Sequence, residues 1–370
     1  MAGIYVHIPF CESKCRYCDF ASFPDKLCFA ESYMACVYRE MAMREKELKG
    51  VEFDTLYIGG GTPSIIDENY IAMLVAAAKK HFNLSESAEI TIEMNPGTVS
   101  AKKIETYLKC GINRFSVGLQ TARDSQLAEL GRVHNLKEFL LCAKLLKGRN
   151  FSVDVMIGLK NQSVADIEKT IETAAYSGAK HISMYALSPE DGTPVYTDYL
   201  NGELPDGDEV AEMYDRGVKK LKELGFDRYE VSNFCQKGFE SRHNLNYWRR
   251  GDYIGFGVAA SSCINDVRFT NTFDLDEYFK CILSGHLAVK DREEVDKAGR
   301  EEEFIMLALR TARGLDLGKY NELFGKNFKD EYAAAIQKVA GYIEVNGDFL
   351  KIKDEYLFIQ NGIIVEFLRT

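Results

Sequence analysis

Apolar and polar positions follow two alternating spacings along the first two hundred residues. Short runs rich in β-branched and aromatic residues predict strands, and each is followed by a turn and a longer stretch with apolar positions at helical spacing. The predicted strands are Gly3–Ile8, Thr55–Ile58, Glu89–Glu93, Arg114–Val117, Val153–Ile157 and His181–Ala186. The predicted helices are Ser32–Leu48, Tyr70–Phe82, Ala101–Cys110, Leu136–Leu146 and Ala165–Ser177. This alternation predicts a parallel sheet with right-handed crossovers.

The number of these units predicts the architecture. Six βα units make an incomplete version of the eight-unit barrel, so we expect an α/β fold with a partial (β/α)6 TIM-like barrel over residues 1–235. In barrels of this type the functional side chains lie on loops at the carboxyl ends of the strands. We therefore expect the chemistry of this chain directly after its predicted strands.

The second half of the chain departs from this repeat. A turn-rich stretch at 191–208 precedes a predicted helix at 209–224 and a strand at 229–232. Residues 236–299 are predicted to connect the barrel to a C-terminal module at 300–370. That module has predicted helices at 301–313, 317–324 and 330–345, then a hairpin of 347–350 and 356–358. Helices ending in a small hairpin predict a winged-helix-like α+β module with an interaction or lid function.

Composition and charge narrow the classes of protein. The chain has 370 residues, and its net charge of −10 disfavours a nucleic-acid binder, which needs clustered cationic side chains. We see no secretory signal and no apolar run of the ~18 residues that a transmembrane helix needs, while peripheral membrane contact stays open. We therefore expect a cytoplasmic protein, where reducing conditions favour metal-binding or catalytic cysteines over disulfides.

Three of the ten cysteines lie together after the first predicted strand. Cys11, Cys15 and Cys18 form a Cys-x3-Cys-x2-Cys loop, and a short loop can wrap three thiolates around one face of an iron–sulfur cluster. A structural zinc site is the alternative, but it needs a fourth ligand such as His7 and usually a second cysteine pair. Most of the other seven cysteines are typical of buried thiols.

This loop, with an aromatic residue before its third cysteine, resembles the radical S-adenosylmethionine (SAM) superfamily. The resemblance implies that the three cysteines hold a four-iron, four-sulfur (4Fe–4S) cluster whose open iron is chelated by SAM, and that Tyr17 borders the adenine. A Gly-Gly-Gly-Thr-Pro run at 59–63 follows the second strand, and its backbone can offer N–H and C=O groups to SAM at close range. A tight turn is the plainer interpretation of that run.

Further segments resemble the branch of the superfamily that contains oxygen-independent coproporphyrinogen III oxidase, namely 5–11, 116–120, 130–132 and 185–187. The resemblance implies that one or two SAM sites are lined by Tyr5, Gly60, Gly61, Thr62, Glu93, Gln120, Arg132, Asp154 and Ala186. Plainer alternatives are an exposed strand-end carboxylate for Glu93, helix caps for Gln120 and Asp154, and a surface ion pair for Arg132.

The sequence departs from the oxidase at two points, and at both it resembles the HemW-type haem chaperones instead. The oxidase has a further cysteine two positions after the third, where this chain has Phe20, and it has an N-terminal extension before the motif. The chaperone family also has a His-Asn-x-x-Tyr-Trp motif, found here at 243–248. His243 is thus a candidate haem ligand, with a hydrogen-bonded core histidine as the alternative. Arg249, Arg250 and Arg268 are candidate partners of haem propionates.

The resemblance implies a haem chaperone that binds haem and a SAM-chelating 4Fe–4S cluster and passes haem to an acceptor protein, for which a respiratory protein is one candidate. The alternative is a radical SAM oxidoreductase of porphyrin biosynthesis that decarboxylates coproporphyrinogen III. The cofactors implied by both are the cluster and SAM, with haem or porphyrin as the further ligand. The sequence leaves open whether SAM is turned over and which protein donates electrons.

Overall fold

A computed structural model describes residues 2–368, and its N-terminal half is a run of alternating strands and helices. The elements are β1 (Ala2–Ile8), α1 (Ala30–Arg44), β2 (Glu52–Gly60), α2 (Glu68–His81), β3 (Asn83–Met94), α3 (Ala101–Cys110), β4 (Arg114–Gln120), α4 (Asp124–Glu129), α5 (Leu136–Leu145), β5 (Phe151–Ile157), α6 (Val164–Tyr176) and β6 (His181–Ala186). These strands pair in chain order and in parallel. The predicted partial barrel is confirmed.

The next segment extends the same sheet at both edges. Its elements are α7 (Pro194–Leu200), α8 (Gly207–Glu223), β7 (Asp227–Arg228), β8 (Asn233–Cys235), α9 (Arg242–Trp248), β9 (Tyr253–Phe256), β10 (Ser261–Ile264), β11 (Val267–Asn271), α10 (Leu275–Leu283) and β12 (Val289–Glu294). The strand order is β12-β11-β10-β9-β1-β2-β3-β4-β5-β6-β8-β7. Strand β9 pairs in parallel with β1, opposite Gly3 to Val6, so residues 236–299 form part of the sheet.

The predicted strand at 229–232 is wrong. Strands β7 and β8 pair with each other in antiparallel register, with Asp227 opposite Cys235 and Arg228 opposite Phe234. Residues 229–232 therefore lie in the connection between β7 and β8, where the chain reverses direction.

The C-terminal module has its own sheet and core. It contains α11 (Lys297–Ala308), β13 (Leu315–Asp316), α12 (Leu317–Phe324), α13 (Phe328–Glu331), α14 (Ala333–Lys338), β14 (Ile343–Asn346), β15 (Phe349–Ile352) and α15 (Gln360–Ile364). The strands form an antiparallel sheet in the order β13-β15-β14. A separate apolar cluster that includes Phe304, Tyr320 and Phe328 fills its interior. The small α+β module is confirmed.

Two details of this module differ from the prediction. The helix expected at 330–345 is divided between α13 and α14, and its last residues belong to β14. Gly347 adopts a φ of 60°, in the left-handed region that favours glycine, so the chain turns there and 343–346 pairs with 349–352. Residues 356–358 lie in a short 3-10 helix and not in the hairpin.

Side chains along β1 alternate between two faces, one in the main apolar core and the other on the inner face of the sheet. Ile4, Val6 and Ile8 are fully buried in the main apolar core. Tyr5 and His7 occupy the alternate positions and therefore point to the opposite, inner face. No helix within residues 2–368 has the length and apolar content that crossing a membrane requires.

Candidate cofactor site

A cavity of 550 Å³ lies at the carboxyl ends of the barrel strands. Its walls come from the cysteine loop after β1, the glycine turn after β2 and the ends of β3 to β6. Twelve of the fourteen residues predicted from the sequence line it, namely Cys11, Cys15, Tyr17, Cys18, Gly60, Gly61, Thr62, Glu93, Gln120, Arg132, Asp154 and Ala186. The other two, Tyr5 and His243, lie outside this cavity.

The cysteine loop is anchored by backbone and ion-pair contacts, which leave its thiols at the cavity wall. The Arg16 N–H donates to Leu130 O at 3.0 Å, and the Arg16 guanidinium pairs with Asp198 at 2.9 Å. All three thiols are free of disulfides, and Cys11 is the most buried of them. Burial raises the pKa of the Cys11 and Cys18 thiols. Three thiols on one loop facing one cavity are a donor set that suits an iron–sulfur cluster.

The zinc alternative finds no support in the geometry. Within residues 2–368, no group of three or more His, Cys, Asp or Glu side chains converges as a single metal ion requires. His7, the suggested fourth ligand, uses both ring nitrogens elsewhere. Its Nε2 donates to Ala21 O at 2.8 Å, and its Nδ1 lies 2.9 Å from the Tyr5 hydroxyl.

The glycine turn is shaped to fit against the cysteine loop. A Cβ on Gly61 would lie 2.8 Å from Cys11 Sγ and 2.7 Å from Phe10 O, so only glycine allows this approach. The N–H groups of Gly61 and Thr62 donate to Ile8 O and Phe10 O, both at 2.8 Å. The expectation that this run offers its N–H groups to a ligand is therefore wrong for these two, because both bind the β1 segment.

Arg132 brings a positive charge to the cysteine loop. Its Nη2 donates to Gly118 O at 3.1 Å, and its Nη1 lies 3.6 Å from Cys15 Sγ and 3.5 Å from the Tyr17 hydroxyl. Among the ion pairs of the described chain, none involves this guanidinium, so the surface ion-pair alternative does not apply. The guanidinium can therefore offset the negative charge that iron–sulfur ligation places on the cysteine loop.

Glu93 is a half-buried carboxylate with two fixed donors. Tyr57 OH donates to its Oε1 at 2.8 Å and the Gly60 N–H donates to its Oε2 at 3.1 Å. Burial raises the pKa of Glu93 to about 7, with a further contribution from the negative charge of Asp154. The exposed-carboxylate alternative is wrong for this residue, because its remaining lone pairs face the cavity.

Gln120 and Asp154 do not cap helices. Gln120 ends β4 at a φ of 69°, in the left-handed region, beside an irregularity in the β4–β5 pairing. Its Oε1 accepts from Tyr185 OH at 2.9 Å. Asp154 lies within β5, with the Ser116 hydroxyl 3.4 Å from Oδ2, and burial raises its pKa. The site thus combines carboxyl, amide and guanidinium groups in one cavity.

Several wall residues were not identified from the sequence. Tyr57, Arg114 and Ser183 also line the cavity. Tyr57 stands two positions before Gly59 on β2, and Arg114 begins β4. Counting back along β4 in steps of two from Gln120 leads to Arg114, since residues i and i+2 share a face.

His243 occupies the core position that the sequence left open as its alternative. Its ring is 2% exposed, with Nδ1 2.7 Å from Thr55 Oγ1 and Nε2 2.9 Å from the Tyr247 hydroxyl. It also stacks on Tyr57, with ring centroids 5.1 Å apart. Burial lowers the pKa of His243 to about 3, so the ring is neutral. Neither ring nitrogen is available to iron in this arrangement.

Two arginines near this motif also form ion pairs within the protein. Arg250 pairs with Asp266 at 2.7 Å and Glu303 at 2.8 Å. Arg268 pairs with Glu293 at 2.7 Å and Glu303 at 2.6 Å. These bonds tie the β9–β12 extension to α11, so neither guanidinium is free for haem propionates.

Known families match both parts of the chain. The radical SAM superfamily matches residues 5–174, and the HemN C-terminal domain matches residues 295–358. The fold is similar to that of coproporphyrinogen III oxidase from Escherichia coli, described as a radical SAM enzyme, with a TM-score of 0.87. That similarity covers 99% of this chain and 89% of the other at 18% identity, and it concerns the fold alone.

Curated relatives match almost the whole chain. The heme chaperone HemW of Buchnera aphidicola is 33% identical over 99% of this chain and 98% of its own length. The proteins of the same name from Bacillus subtilis and Escherichia coli are 32% and 31% identical, over 92% and 99% of this chain and 91% and 98% of their own lengths. With a cysteine-lined cavity in a partial barrel and relatives of this extent, the chain belongs to the HemW family of the radical SAM superfamily.

Proposed function

We propose that the protein is a haem chaperone that holds a 4Fe–4S cluster and SAM in the barrel cavity, binds haem and passes it to an acceptor protein. The observation that carries this proposal is the near full-length similarity to proteins named heme chaperone HemW. The similarity to the oxidase is restricted to the fold at 18% identity, so decarboxylation of coproporphyrinogen III is the alternative outcome of the test.

Cys11, Cys15 and Cys18 are the proposed cluster ligands. Thr62 supports Cys11, since its hydroxyl lies 3.6 Å from Cys11 Sγ, and Arg132 supports Cys15. A cluster bound there supplies one-electron chemistry and an iron with a site open to SAM. The residues around it hold the loop, balance the negative charge of the thiolates and limit access of water from the barrel side.

The proposed SAM contacts come from the other cavity residues. Glu93 and Asp154 present carboxyl oxygens to an ammonium or hydroxyl group, and Arg132 presents a guanidinium to a carboxylate. Gln120 offers its amide N–H₂, because its carbonyl oxygen already accepts from Tyr185. Tyr17, Gly60, Gly61, Thr62 and Ala186 contribute ring and backbone surface. Tyr5, which lies outside the cavity, is not included.

We also propose a cytoplasmic setting, since all ten cysteines are unpaired within the described chain and cluster thiolates need reducing conditions. The acceptor is proposed only as a haem-binding protein.

Three measurements on anaerobically reconstituted protein test the proposal. Haem titration should give a Soret band that transfers to an added apo-haem protein. Incubation with SAM, a reductant and coproporphyrinogen III should give no protoporphyrinogen. Efficient formation of protoporphyrinogen, or a complete absence of haem binding, would reject the chaperone function.

A further inference from the structure

A second cavity, of 420 Å³, lies on the inner face of the sheet where β1 pairs with β9. Aromatic side chains dominate its lining. They are Tyr5, Phe20, Tyr247, Tyr253 and Phe273, together with the imidazole of His7. The sequence did not single out this pocket, because its aromatic residues come from five separate segments.

The inner wall of this aromatic pocket is held in place by ring packing and hydrogen bonds. Tyr247 and Tyr253 meet edge to face, with centroids 4.8 Å apart. Because His7 Nε2 donates to a backbone carbonyl, the neutral ring accepts at Nδ1 from the Tyr5 hydroxyl at 2.9 Å. These contacts fix the rings before any ligand arrives, which lowers the entropic cost of binding.

The rim of the pocket is apolar and exposed. Phe20 is 60% exposed and Phe273 is 61% exposed. Single exposed apolar residues are common, but two phenylalanines at the mouth of an aromatic pocket are typical of a ligand site. Phe20 and Asp19 line both cavities, so the segment after Cys18 separates the aromatic pocket from the cofactor cavity.

The two cavities differ in the ligand that each suits. The cofactor cavity is lined by several carboxyl and guanidinium groups. Among the residues that the structure describes, Asp19 is the one acidic residue of the aromatic pocket, and no arginine or lysine lines it. A flat apolar ring packs well on aromatic faces. The open side of the pocket leaves carboxylates at the ring edge in water.

We propose that the aromatic pocket is the haem site, and this inference rests on the proposed chaperone function. The haem ring lies against Tyr5, Tyr247 and Tyr253, with Phe20 and Phe273 covering its outer edge. His243 acts behind this wall by holding Tyr247. A haem seated in this open pocket is accessible to an acceptor protein.

Haem titration of paired variants of the full chain tests this site. The double variant Tyr253→Ala, Phe273→Ala removes two rings from the pocket, and we expect a rise of about tenfold or more in the Kd for haem. Tyr176→Ala is the matched control, since Tyr176 is 77% exposed and lies outside both cavities, and its Kd should equal that of the wild type. Cluster content and circular dichroism verify folding.

The outcomes separate the two claims. Wild-type protein that binds no haem overturns the proposed function and this inference together. Wild-type and double-variant proteins that bind haem equally overturn the inference alone. If the double variant does not fold, Phe273→Glu at the exposed rim replaces it, because a carboxylate there repels the anionic edge of haem, and unchanged affinity in that variant also overturns the inference.

Discussion

The cysteine loop and helix α9 each contain a short motif of residue types that bind iron, but the side chains of the two motifs differ in their exposure and hydrogen bonding. In the loop, backbone and ion-pair contacts hold the chain and leave three thiols facing a cavity. In α9, His243 has a partner at each ring nitrogen and is 2% exposed. A motif therefore predicts a ligand only where its donor atoms lack partners within the protein.

The local structure explains this difference. The loop follows β1 at the carboxyl end of the sheet, where a barrel places its functional groups. Helix α9 begins with Ser241 as its N-cap and packs against β1 and β2, so its inward residues fill the barrel. A polar side chain buried in this way must be hydrogen-bonded, which makes it structural.

Removing one loop thiol gives the largest expected effect. Cys15→Ala should lose the 4Fe–4S cluster, because three thiolates are needed and the described chain has no fourth cysteine at the cavity. Iron and sulfide analysis with visible absorbance after anaerobic reconstitution measures the loss. Cys28→Ala, at an exposed cysteine outside the loop, is the control and should load fully. A fully loaded Cys15→Ala protein would remove this residue from the ligand set.

Removing the imidazole of α9 should affect stability and leave the cluster in place. His243→Ala leaves Thr55 and Tyr247 without their partners and opens a cavity, so we expect the free energy of unfolding to fall by about 3 kcal/mol. Chemical denaturation measures it, with His286→Ala at an exposed histidine as the control. Unchanged stability together with lost haem binding would instead indicate a haem ligand.

The same contrast shows which features of the fold and of the site could be predicted from the sequence. The six βα units follow from hydrophobic spacing, and the twelve cavity residues follow from the resemblance to the radical SAM superfamily. The partners of His243 could not be predicted, because Thr55 is 188 positions away and their contact depends on how α9 packs. The strands β9 to β12 were missed because they are only four to six residues long and carry weak alternation.

A smaller effect is expected at the contact between the loop and the glycine turn. Gly61→Ala places a Cβ 2.8 Å from Cys11 Sγ and 2.7 Å from a backbone oxygen, so the loop must shift, at a cost of about 1–3 kcal/mol. We expect a lower cluster yield and faster loss of iron to a chelator. Gly341→Ala is the control, because a Cβ there would have no atom of the described residues within 4 Å. Equal rates of iron loss in the two variants would contradict this packing.

The smallest expected effect is the pH dependence that His243 confers. Burial lowers its pKa from 6.5 to about 3 in the folded protein, so in acid the unfolded chain takes up a proton that the folded protein does not. The contribution of neutral His243 to the free energy of unfolding is therefore fully present above pH 6.5 and is lost as the pH falls toward 3. Between pH 8 and pH 5.5 the wild type should lose about 1 kcal/mol more stability than His243→Ala. Denaturation at both pH values measures this difference, in which the other histidines cancel. An equal loss in both proteins would mean that the folded protein binds a proton at this ring as readily as the unfolded chain, so that a ring nitrogen lacks its partner, as the thiols of the cysteine loop do.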